Sequence, residues 1–233
     1  MSLEPASGAG FGGAAGTGGV AGMSGASYER SQAYSRRAEY LLVIYPYGEL
    51  QDKLLDEQQQ FSLDYLQMTG IKSGRPAGPV PVGNKPHITV AAFQAGEPME
   101  DTLIRWIQRI LNRYKSFDIT LNNYSGFPPH TIYLRVQDPQ PFRELMQQLR
   151  AIDDFIRSSG CPPVNLINRP YLSIAGGLTE QVYNKAMPEY SRKDFHDSFH
   201  VKEMVLLKRE HSFDACKTVN IFRLLPDTNQ TIS

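Results

Sequence analysis

The chain has 233 residues, and its 24 basic and 24 acidic side chains cancel to a formal net charge of zero. That balance argues against sequence-blind, salt-dependent grip on long nucleic acid and favours small or short ligands. No apolar run is long enough to span a bilayer, no secretory leader pattern opens the chain, and Cys161 and Cys216 make no disulfide framework; the expectation is a cytoplasmic monomer with free thiols.

Residues 1–27 are Gly, Ala and Ser with almost no large side chains. They bury too little apolar surface to offset the entropy of ordering, so a disordered tail is expected. The tail holds a formal GxGxxG at Gly8, Gly10 and Gly13. With no strand pattern before it and no helical pattern after it, a dinucleotide loop is not expected there. One folded domain of two lobes is expected over residues 28–233.

The run "EYLLVIYP" over 39–46 predicts a strand that stops at proline. Leu50, Leu54, Leu55, Phe61, Tyr65 and Leu66 predict a helix over 48–68, and the Gly- and Pro-dense stretch 73–86 predicts a loop. A strand "HITVAAF" follows, then an amphipathic helix over 99–115 on Leu103, Ile107, Ile110 and Leu111. "FDITLNNYSGF" and "HTIYLRV" read as two strands joined through Gly126-Phe127-Pro128-Pro129. A helix over 139–158 with proline near its start comes next, then a Pro-rich loop, the strand "YLSIAGG" and a helix near 179–188. "SFHVKEMVLLKRE" reads as one strand, and a last strand falls around 217–225.

Two of these strands open on the same heptad. "KPHITVA" at 85–91 and "RPYLSIA" at 169–175 share base, Pro, ring, branched aliphatic, hydroxyl, branched aliphatic and Ala. The one change of kind is His87 to Tyr171. Strand alternation puts His87, Thr89 and Ala91 on one face, with Ile88, Val90 and Ala92 behind them. Tyr171, Ser173 and Ala175 align the same way over Leu172 and Ile174. Ring and hydroxyl then stand about 7 Å apart, close enough to reach one tetrahedral anion, with Ala leaving floor space. The predicted class is α+β: two pseudo-symmetric lobes, each a small antiparallel sheet with helices on its outer face, and a cleft between them.

His-x-Thr/Ser between aliphatics, placed twice some 80–90 residues apart, resembles the 2H phosphoesterase superfamily, which includes 2′-5′ RNA ligase-like proteins and cyclic phosphodiesterases. "KPHITVAAF" fits the first motif in full; in the second, Tyr171 stands in place of histidine. The resemblance implies metal-free acid–base chemistry with no cofactor, on a 2′,3′-cyclic or 2′-5′ phosphodiester of an RNA end or small nucleotide. It implies His87 as base, Thr89 and Ser173 as holders of the non-bridging oxygens, and Tyr171 as a weakened acid or a phosphate contact. A phenol titrates near 10 and an imidazole near 6.5, so the exchange weakens proton transfer at neutral pH. The alternative is a catalytically weak or inactive nucleotide- or RNA-end-binding protein on the same fold. Lys85 and Arg169, the bases that open each heptad, are candidates to steer phosphate.

Other groups carry less. His196 and His200 are four apart, a metal-pair spacing only on a helix, and no helical stripe surrounds them. His130 follows "FPP" and could stand in for the missing imidazole. His211 is expected to be exposed, and neither cysteine has a sequence neighbour that would make it a nucleophile. Tyr45, Tyr47 and Phe93 could stack on a base, with packing the simpler role.

Overall fold

A computed structural model describes residues 37–66, 85–211 and 214–227; the expected tail at 1–27 and most of the expected loop at 73–86 lie outside the described residues. β1 (Arg37–Ile44) leads to helix α1 (Glu49–Phe61), whose last turn widens into a π-helical turn at Ser62–Leu66. β2 (Ile88–Gly96) passes through a short 3-10 turn into α2 (Glu100–Leu111). β3 (Phe117–Phe127) and β4 (Thr131–Val136) form a hairpin, followed by α3 (Gln140–Ser158), the two-residue β5 (Asn165–Leu166), β6 (Tyr171–Ala175) and α4 (Glu180–Tyr190). β7 (His196–Val201), β8 (Glu203–Arg209) and β9 (Lys217–Arg223) complete the fold. The predicted elements are present with ends shifted by a few residues, except that one predicted strand is divided in two.

The strands run in the order β7-β3-β4-β6-β2-β1-β8-β9, with β5 beside β2. Every pairing between named strands is antiparallel. Two four-stranded halves, β9-β8-β1-β2 and β6-β4-β3-β7, therefore meet at β2 and β6. They touch there through a single register pair, Ile88 with Leu172.

One face of the sheet is the core. β1 turns Ala38, Tyr40, Leu42 and Ile44 into it, β6 contributes Leu172 and Ile174, and each helix adds its apolar stripe. Leu50, Leu54 and Phe61 of α1 and Val182, Tyr183, Ala186 and Tyr190 of α4 are buried on the second half. Leu103, Ile107 and Leu111 of α2 and five apolar positions of α3 cover the first half. Burying each such aliphatic side chain is worth about 1.5–3 kcal/mol. No helix of the described residues is long and apolar enough to cross a membrane.

Two expectations need correction. "SFHVKEMVLLKRE" is two strands, because the chain changes partner at Lys202: β7 pairs with β3 in the second half and β8 with β1 in the first. No glycine or proline marks the change, so local propensity reads straight through it. Ala91 and Ala175 also leave the face of His87 and Tyr171. Leu42 pairs with Ala91 and Val43 with Thr89, so Val90 is the extra residue of a bulge. Ile132 pairs with Ala175 and Tyr133 with Ser173, so Ile174 is its counterpart. A bulge shifts the alternation by one residue. Both alanines turn into the core, each 3% exposed. The bulges fall at the same heptad position, so the repeat extends to backbone irregularity.

Gly126 of β3 is needed for a different reason. A Cβ built there would run into the Tyr183 hydroxyl and lie 3.0 Å from Met187 Sδ, both on α4. Gly126→Ala is expected to cost about 1–3 kcal/mol by overpacking, read as a lower midpoint of thermal unfolding. An unchanged midpoint would mean that α4 moves aside freely.

Candidate active site

The pairing of Ile88 with Leu172 sets the geometry. These are the fourth residues of the two heptads, so the copies run antiparallel about a shared centre. Continuing that register by one residue each way puts His87 across from Ser173 and Thr89 across from Tyr171. The four side chains share the face away from the buried Ile88 and Leu172, and all four are half-buried. Adjacent strands lie about 4.8 Å apart and alternate residues about 7 Å, so the four groups bound a rectangle that one phosphate can span.

His87 is oriented by its own loop. Its Nδ1 lies 2.9 Å from the Lys85 carbonyl oxygen. A carbonyl only accepts, so Nδ1 carries the hydrogen and the neutral ring keeps its lone pair on Nε2. Burial lowers the His87 pKa below the ordinary imidazole value, against the opposing pull of the Lys85 carbonyl. Tyr45 meets the ring edge-on with centroids 6.0 Å apart. The result is an unprotonated, fixed imidazole at neutral pH.

Both bulges leave main-chain groups that the ladder does not pair, and neighbours take them up. Ile167 N–H donates to the Val90 carbonyl at 3.0 Å. Gln58 of α1 donates from Nε2 to the Ser173 carbonyl at 2.9 Å. Ser173 is thus positioned by a helix that follows the other half's first strand.

Beyond the four heptad groups the two walls differ. On the first half, Thr89 continues through Val43 to Val205 and Ile221. Val43, Val205 and Leu207 form a small apolar cluster with Leu41, Tyr45 and Cys216 packed on it. On the second half, Tyr171 pairs with Arg135, and Arg135 with Asn122. Arg135 is exposed, and its Nε donates to the Asn122 carbonyl at 3.2 Å. Ser173 pairs with Tyr133, whose ring stacks on Phe127. Sequence reasoning missed Arg135, Tyr133 and Phe127. The alternation in "IYLRV" marks Tyr133 and Arg135 as one face, but only strand order places that face beside Tyr171.

The remaining expected residues sit as follows. Lys85 and Arg169 are exposed, each before a buried proline, at opposite ends of the strand pair. His130 is exposed in the hairpin turn with Nδ1 3.3 Å from the Leu178 carbonyl. His196 and His200 lie on a strand, where four residues span about 13 Å, too far to share an ion. His200 pairs with Asp118 at 2.7 Å and lines a cavity of about 500 Å³ at the β7–β8 crossover. Phe93 stacks on Tyr40 in the core, because the Val90 bulge turned it inward. Tyr47 is exposed, His211 is exposed and paired with Asp214, and both cysteines are unbridged.

Residues 78–212 match the family described as the 2′-5′ RNA ligase superfamily. Solved structures share the fold at low identity. Escherichia coli LigT complexed with 3′-AMP aligns at 19% identity and a TM-score of 0.53, over 81% of this chain and 98% of that one. TT0787 of Thermus thermophilus aligns at 16% and 0.53, over 81% and 99%. A crystal structure described as a phosphoesterase aligns at 18% and 0.52, over 81% and 98%. No curated protein sequence matches at a significant level.

Proposed function

Because the chain belongs to the 2′-5′ RNA ligase superfamily, we propose that it is a metal-free phosphodiesterase of the 2H type, acting on the 2′,3′-cyclic or 2′-5′ phosphodiester of an RNA end or small nucleotide. The observation that carries this reading is the antiparallel pairing of the two heptads about Ile88 and Leu172. Continued by one residue each way, that register supports a site in which one ring and one hydroxyl from each half reach a single phosphate.

On a 2′,3′-cyclic phosphate, His87 Nε2 takes a proton from the attacking water. The water oxygen bonds to phosphorus, and one of the two ring P–O bonds breaks. The leaving ribose oxygen takes a proton from the Tyr171 hydroxyl, which regains one from solvent as His87 releases its own to solvent. Thr89 and Ser173 donate to the non-bridging oxygens, and the Arg135 guanidinium offsets their charge. Lys85 and Arg169 steer the anion from either end. The packing of Tyr171 against Phe127 and Tyr133 favours a second reading, a nucleotide-binding protein with little turnover on the same cleft.

The test is hydrolysis of 2′,3′-cyclic AMP with EDTA present, followed across pH. A base works only when unprotonated, so kcat/KM is expected to fall as pH drops through the His87 pKa. That pKa is depressed, so the acid limb has its midpoint below the ordinary value of about 6.5. EDTA-sensitive turnover, or a limb centred above 6.5, overturns the assignment of His87 as a metal-independent base.

A further inference from the structure

We propose that Phe127, Tyr133 and Tyr171 form a platform on which the base of a bound nucleotide stacks; the inference rests on the proposed phosphate site beside them. Phe127 and Tyr133 are nearly parallel, with centroids 4.5 Å apart and an interplanar angle of 27°. Tyr171 meets Phe127 at 5.1 Å and Tyr133 at 5.0 Å. The cluster starts inside the four-residue centre, since Tyr171 is itself one of its corners, and runs outward over the second half.

Its outermost ring is open. Phe127 is 43% exposed, although it lies on a sheet whose other apolar face is packed. The placement follows from β3: Gly126 is pressed against α4 with no room for a side chain. Strand alternation then sends Phe127 to the opposite, solvent-facing side, two residues beyond Ser125, which pairs with Tyr133. An exposed phenyl group backed by a second ring presents a flat apolar surface.

The occupant follows from what adjoins the surface. A phosphate held by Thr89 and Ser173 carries its base one ribose away. On the first half that distance leads past the buried Val43 and Val205 to the exposed Ile221, with no ring on that path. On the second half it leads onto rings, with Arg135 paired to Tyr171 at the anionic end. Aromatic faces attract nucleobases by stacking, with little regard to which base. Tyr45, the other ring at the centre among the described residues, is half-buried, meets His87 at a steep angle and packs on the Val43, Val205 and Leu207 cluster, whereas Phe127 is exposed. The platform also gives Tyr171 a function that an imidazole would serve less well: its ring braces the two others.

The experiment is calorimetric titration of the full chain with 3′-AMP, and with inorganic phosphate as the base-free probe. Phe127→Ala is expected to weaken 3′-AMP binding roughly tenfold to a hundredfold while leaving phosphate binding unchanged. Phe127→Trp, which keeps a stacking face, is expected to bind 3′-AMP at least as tightly as the native chain. If Phe127→Ala binds 3′-AMP with native affinity, the platform is wrong and the phosphate site stands. Equal weakening of both probes also overturns it, since the ring would then be supporting the centre. A native chain that binds neither probe removes the phosphate site and the platform together.

Discussion

His87→Ala is expected to lower metal-independent hydrolysis of 2′,3′-cyclic AMP by about 10²–10⁴-fold in kcat, the contribution of a positioned acid or base. The size follows from how much is prepared at this one ring. The Lys85 carbonyl fixes the tautomer, burial keeps the ring neutral, and Nε2 is the atom left to accept. With Tyr171 in the other copy, His87 is the one imidazole among the four heptad side chains. KM is expected to change little, because the proposed anion holders Thr89, Ser173 and Arg135 are left in place. His87→Gln adds a control for polarity, since an amide hydrogen-bonds but does not take the proton. Turnover that survives both changes would place the base elsewhere and remove the assignment.

Tyr171→His is expected to raise kcat on the same substrate by about 10²-fold, the low end of what a positioned general acid supplies. An imidazolium gives up its proton near neutral pH far more readily than a phenol does. KM should rise in the same variant, because the platform loses the ring that touches both Phe127 and Tyr133. Opposite movements of kcat and KM would separate proton transfer from base stacking at one position. No gain in kcat, with 3′-AMP still bound, would favour the nucleotide-binding reading over the enzyme.

Much of this protein was determined by sequence alone, for physical reasons tied to particular residues. Amphipathic spacing in 99–115 and 139–158 located α2 and α3, because a helix must bury a stripe at a period of 3.6. The repeated heptad located both centre strands and named His87, Thr89, Tyr171 and Ser173 together, because period-2 alternation separates chemistry from core. Tertiary structure decided the rest. The two bulges turned Ala91 and Ala175 into the core, which strict alternation does not anticipate. The change of partner at Lys202 depends on which strand edge is open, a property of the assembled sheet. Arg135 and Phe127 became neighbours of the site only when β4 took its place beside β6, some 40 residues away in the chain. Local sequence sets which face a side chain takes, whereas strand order, a balance of long-range pairings, sets what that face meets.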